Sequence, residues 1–133
     1  MIHVIEATQH FLQGDAAGWK AVWSHDDDVT LFGGRGAYER GWAQLAPRFD
    51  WIAATYAESR DFASENISTV VGADLAYAVG IERSRMRFQG REDFGPVVLR
   101  VTHIYRRGDD GWKLVHRHAD SLVEVKDTRE IYP

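Results

Sequence analysis

The sequence predicts an α+β fold, with helices gathered at the amino-terminal end and a long antiparallel meander after them. Three observations carry this. Apolar residues recur at helical spacing as far as about residue 56, the pattern then changes to strict alternation from Phe62 onward, and the turn Gly108-Asp109-Asp110-Gly111 joins two long alternating runs in the manner of a β-hairpin. Helices followed by strands place the helices on one face of a sheet.

Val4, Ile5, Phe11 and Leu12 define a first helix that ends at Gly14. Asp15 is placed to cap a second helix over Ala16 to Ser24, with Trp19, Val22 and Trp23 on one side. The acidic cluster Asp26-Asp27-Asp28 leads into a short strand, Val29 to Phe32, and then into the loop Gly33-Gly34-Arg35-Gly36. That loop lacks the lysine and the spacing of a phosphate loop and reads as the lip of a pocket. A third helix spans much of Trp42 to Tyr56, with Pro47 near its first turn or kinking it. Strands follow at Phe62 to Val71, Leu75 to Gln89, Val97 to Arg107 and Trp112 to Glu124. Gly80 interrupts the second of these, where a bulge would bend the sheet. A strongly curved sheet under three helices leaves a hollow, and small ligands occupy such hollows.

The 133 residues match one domain, 1–133, and 44% hydrophobic content with five Trp is ample for a core. The absence of cysteine excludes disulfides and thiol chemistry. A net charge of −4 gives no electrostatic reason to expect nucleic acid or an anionic membrane. No stretch is long enough for a membrane span and the amino terminus lacks a signal-peptide pattern, so a cytoplasmic location is expected.

The last strand concentrates the chemistry. Trp112, Leu114, His116, His118 and Asp120 share one parity, which reads as a pocket wall that is dry at one end and proton-active at the other. Lys113, Val115, Arg117, Ala119 and Ser121 read as a mixed surface. On this reading His118 is the catalytic acid or base and Asp120 orients it, with His116 beside them. The structural alternative pairs Asp120 with Arg117 or Arg100. His103 and Arg100 lie on the partner strand with opposite parity, so at most one of them faces the hollow unless a bulge intervenes, and the sequence does not choose between them. Arg100 could grip a carboxylate through its planar fork. Trp42, Trp51 and Tyr56 are candidate ligand contacts around the third helix. Arg83, Arg85 and Arg87 form a basic ladder, most simply a solvated face, whereas Glu82 has the parity of Ser84, Met86 and Phe88 and is a lesser candidate for proton transfer. Two imidazoles and a carboxylate are chemically suited to zinc or iron, but metal sites draw ligands from separate elements, and no metal and no cofactor are expected.

Several strings carry a resemblance: Gly14-Asp15 between the first helices, the acidic stretch before Val29-Thr30-Leu31-Phe32, Arg40-Gly41-Trp42 opening the third helix, Arg100 to Arg107, and Trp112 to Ser121. Together they cover nearly the whole chain. The sequence resembles the NTF2-like superfamily, which includes ketosteroid isomerase and the SnoaL-like polyketide cyclases, and is similar to the association domain of calcium/calmodulin-dependent kinase II. The resemblance implies a cystatin-like cone of three helices on a curved sheet. It also implies a homodimer paired through the outer sheet face, where Tyr77, Val79 and Ile81 offer an apolar patch. In ketosteroid isomerase the general-base aspartate follows the first strand and an oxyanion tyrosine lies in helix one. Here the base position falls at or near Gly33 and helix one has no tyrosine, so steroid isomerase activity is not expected. In the kinase association domain a pocket arginine occupies the strand position nearest His103. The implied function is cofactor-independent isomerisation, dehydration or cyclisation of a small apolar or carboxylate-bearing molecule. The alternative is a non-catalytic ligand-binding or association module.

Overall fold

A computed structural model describes residues 2–127 and 129. Helix α1 (Ile2–Leu12) turns Val4, Ala7, Thr8 and Phe11 inward, the spacing of one helical stripe. It stops at Gly14, whose φ of +95° suits glycine and whose amide donates to Phe11. Asp15 accepts from the Ala17 amide at 3.1 Å, but α2 (Ala17–Ala21) is shorter than its apolar pattern suggests. The chain leaves the helix so that the Leu114 amide can donate to Val22 and Ser24 to Leu114, an exchange that ties Trp23 to the last strand.

Strand β1 (Thr30–Phe32) pairs with a two-residue strand, β2 (Glu39–Arg40), that the sequence pattern does not reveal. Helix α3 (Trp42–Thr55) begins at Gly41, φ +83°, where an added Cβ would lie 3.1 Å from the Asp27 carbonyl. Pro47 lies inside α3, and Leu45, Phe49 and Ala53 form its buried stripe. The chain passes directly from α3 into β3 (Tyr56–Val71). The first residues of β3 escape the alternation pattern because Tyr56 to Ser59 are partly or fully buried in succession, with register shifts after Tyr56 and between Arg60 and Ala63.

β3, β4 (Leu75–Phe88), β5 (Gly95–Gly108) and β6 (Gly111–Ser121) form the expected antiparallel meander. The six strands take the order β2-β1-β6-β5-β4-β3, with β1 parallel to β6. Gly80 keeps the β4–β5 register continuous, and the irregularity is on β3, between Asn66 and Ser68. There the Glu65 carbonyl comes within 2.3 Å of where a Gly80 Cβ would stand, so glycine permits the close approach that bends the sheet.

The helices cover the concave face. Phe11, Trp19, Trp23 and Phe49 meet with ring centroids 5.3 to 6.0 Å apart and fill one end of the space between helices and sheet. Val29, Leu31, Leu45 and Leu114 complete this core. Beyond the aromatic cluster the layers separate.

Candidate active site

The separation leaves a cavity of about 390 Å³ between α1, α3, the 33–37 loop and the concave sheet face. Phe11, Leu31, Phe49, Ile52, Met86 and Leu99 make most of its wall apolar. Glu82, Ser84, Met86 and Phe88 all line it, which is the parity expected of β4. From β6 the lining residues are Arg117, Ala119 and Ser121.

This last set reverses the expected face of β6. Tyr105 pairs with Leu114 and Ile104 with His116, so Val115 is an extra residue opposite no partner: a β-bulge. Before it, Leu114 packs in the core as alternation predicts, and Val115 is buried as well. After it every side chain is turned to the other face. His116, His118 and Asp120 therefore lie on the outer face of the sheet, and the expectation that His118 and Asp120 look into the hollow is corrected. Asp120 is held by Arg100 through two hydrogen bonds of 2.8 and 2.7 Å. Arg100 holds the Asp120 carboxyl below its usual range, and that pairing leaves the carboxylate engaged with the guanidinium instead of an imidazole. His116 Nδ1 meets Thr30 Oγ1 at 2.7 Å, and the Phe32 ring lies 5.5 Å from both the His116 and the His118 rings.

The bulge brings Arg117 inward to meet Glu82. Arg117 Nη1 and Nη2 donate to Glu82 Oε2 and Oε1, both at 2.9 Å, and each side chain is only 13% exposed. A second Nη1 hydrogen points to His103 Nε2 at 2.9 Å. Because guanidinium only donates, Nε2 must accept, which makes His103 a neutral imidazole carrying its proton on Nδ1, 3.4 Å from the Tyr105 hydroxyl. Burial, reinforced by the Arg117 charge, pushes His103 down to about 3. Burial opposes ionisation of Glu82, yet Arg117 outweighs it and holds the carboxyl below its ordinary value. Arg117 has five N–H donors, and three are used by Glu82 and His103. Two have no acceptor among the described residues, on a buried cation that lines an apolar cavity.

The sequence profile of the SnoaL-like domain matches residues 4–124. The chain belongs to the SnoaL-like domain family. No curated protein matches the sequence. Among solved structures it is similar to a nuclear transport factor 2-like superfamily protein from Salmonella enterica serovar Typhimurium, with TM-score 0.80, 16% identity, and 93% and 89% of the two chains covered. A ketosteroid isomerase-like protein from Erwinia carotovora gives TM-score 0.77 at 18% identity over 92% and 93%. A structure from Thiobacillus denitrificans that bears the name of the calcium/calmodulin-dependent protein kinase type II association domain gives 0.70 at 24% over 92% and 91%. These identities establish a shared NTF2-like fold and nothing finer.

In this SnoaL-like domain Trp51 and Tyr56 line the cavity, and burial raises the Tyr56 phenol. Trp42 instead stacks on His25, ring centroids 3.9 Å apart, and packs against the core. Of the β5 pair, His103 faces the concave side and Arg100 the outer side, where Arg100 lies with His116, His118 and Asp120 outside the cavity wall. Gly33, the position that ketosteroid isomerase resemblance assigns to the base, is at the cavity wall without a side chain. A second cavity, of about 270 Å³, lies between α1, β3 and β4 and shares Thr8, Phe62 and Glu82 with the first. The place of Arg117 on the cavity wall was not read from the sequence because one unpaired valine inverts its parity. Among the described residues no cluster of His, Asp and Glu has the makings of a metal site.

Proposed function

We propose that this SnoaL-like domain binds a small, mostly apolar organic molecule and moves a proton on it. One observation carries the reading: a carboxylate and a guanidinium with two unspent donors sit side by side in an otherwise apolar hollow. A ligand carbonyl that accepts from Arg117 places its neighbouring carbon near Glu82. The Glu82 carboxylate then takes the proton from that carbon, and Arg117 stabilises the negative charge that develops on oxygen. Isomerisation, dehydration and cyclisation of such molecules share this step. His103, neutral and fixed by Arg117, is a positioning residue that keeps the guanidinium oriented. No cofactor is required, since proton removal and return are both within reach of a carboxylate.

The test is exchange of hydrogen for deuterium in D₂O at the carbon beside the carbonyl of small cyclic ketones such as 2-tetralone, followed by NMR. The wild type accelerates exchange and Glu82→Gln does not, while both bind the ketone. A wild type that binds ketones yet never exchanges their protons refutes the chemistry and leaves a ligand-binding module.

An association role has its own support in the outer sheet face, where Tyr77 is 42% and Phe32 41% exposed. Val79 and Ile81 share the parity of Tyr77 on a strand whose register with β5 is unbroken. We infer a homodimer through this face. Sedimentation at micromolar concentration tests it, and a monomer that persists at every concentration counts against it.

A further inference from the structure

The charges around the cavity do not cancel. Its lining includes Arg35, Arg48 and Arg117 against Glu39 and Glu82. Glu82 is taken by Arg117, and Glu39 by Arg48 at 2.9 Å, while no carboxylate pairs with Arg35 among the described residues. Arg35 is nevertheless held in place. Its Nη2 donates to Thr55 Oγ1 at 2.7 Å, and its Cζ lies 5.4, 5.3 and 5.5 Å from the ring centres of Trp51, Tyr56 and Phe88. Three aromatic rings and a hydroxyl thus fix a cation at the exposed rim of an apolar hollow. One further donor is directed to the Tyr56 hydroxyl, and none meets a carboxylate among the described residues.

Resting on the ligand-binding reading above, we infer that Arg35 is a specificity residue and that the ligand is a monoanion, an apolar skeleton ending in a carboxylate. The carboxylate meets Arg35 at the rim, and the body of the molecule fills the hollow toward Arg117. The stacked rings hold the guanidinium plane so that little side-chain freedom is lost on binding. A rim cation with no counter-charge also disfavours an ammonium ligand, even though the rings around it would otherwise suit one.

Three probes of one skeleton decide the matter: 2-naphthoate, 2-naphthamide and 2-naphthylmethylammonium, each titrated by calorimetry into the full chain. The carboxylate is expected to bind about tenfold more tightly than the amide, with the ammonium weakest. Arg35→Gln should remove that preference, bringing the carboxylate down to the affinity of the amide. Arg35→Lys should restore part of it, and added salt should weaken the carboxylate alone. Equal binding of carboxylate and amide, or a preference that survives Arg35→Gln, overturns the assignment while leaving the cavity reading intact. Tightest binding by the ammonium overturns it in favour of a cation cage. If none of the three binds, both this assignment and the ligand-binding reading fall.

Discussion

The neutral, Nδ1-protonated state of His103 can be tested through stability. In the unfolded chain an imidazole titrates near 6.5, but in the folded protein burial beside Arg117 lowers it to about 3. Below about pH 6.5 the unfolded state therefore takes up a proton that the folded state refuses, and stability falls as pH falls. Lowering the pH from about 7.5 to about 5 should remove about 2 kcal/mol through this residue alone. The figure requires only that the folded imidazole remain neutral at the lower pH.

Urea unfolding followed by tryptophan fluorescence, at one protein concentration and at several pH values between those limits, measures the loss. His103→Gln removes the titrating group and keeps an acceptor for Arg117. His116, also lowered by burial, acts in the same direction in both proteins, so the difference between the two curves isolates His103. The variant's stability should be flatter by about 2 kcal/mol over the range. Parallel curves would mean that His103 is not held neutral, and the assignment of Arg117 as its donor would go with it.

Four further outcomes follow from the geometry. Exchange activity should be level from about pH 8 down to about pH 5 and fall only at lower pH, because Arg117 holds the Glu82 carboxyl below its usual range and the base form persists; a rate that declines through neutrality contradicts this. Breaking the buried pair with Arg117→Met should cost about 3–5 kcal/mol by leaving Glu82 uncompensated, whereas Arg117→Met with Glu82→Leu should unfold at equal or higher urea than the wild type while losing exchange entirely. His118→Gln should change stability by no more than about 0.5 kcal/mol and leave ketone exchange intact, since its side chain is outside the cavity; loss of exchange with ligand binding retained would return His118 to the site. Gly80→Ala should destabilise by about 1–3 kcal/mol in urea unfolding, because the new methyl must displace the Glu65 backbone.

The periodicity of the sequence was sufficient for the helices and the meander, because alternation and helical spacing report directly on which face is buried. It was also sufficient for the inward face of β4, where Glu82, Ser84, Met86 and Phe88 line the cavity. The small strand at Glu39–Arg40 was not legible because two residues carry no period, and the start of β3 was not because Tyr56 to Ser59 are partly or fully buried in succession and broken by register shifts. The face of β6 failed for a different reason. Parity is counted from a reference point, and Trp112 and Leu114 supplied a correct one, but Val115 fits an unbroken alternating strand as well as it fits a bulge. Nothing in the local sequence marks the inserted residue, because it is set by the pairing with Ile104 and Tyr105, 10 or so positions away along the chain.

That one residue decides which chemistry the cavity holds. Without the bulge, an unbroken alternation would turn His116, His118 and Asp120 inward and leave Arg117 on the outside. With it, the hollow receives a guanidinium that reaches across β5 to meet Glu82 on β4, while the imidazoles join Phe32 on the outer face. A buried Arg–Glu pair is a poor device for stability, since apolar residues of similar volume hold a fold at least as well. Here the pair also leaves two of the arginine's donors without acceptors among the described residues, on a side chain that lines the cavity and is open to a ligand oxygen. A guanidinium fixed by Glu82 and His103, with further donors on the wall of an apolar hollow, is the physical basis for reading this hollow as a site instead of a packing fault.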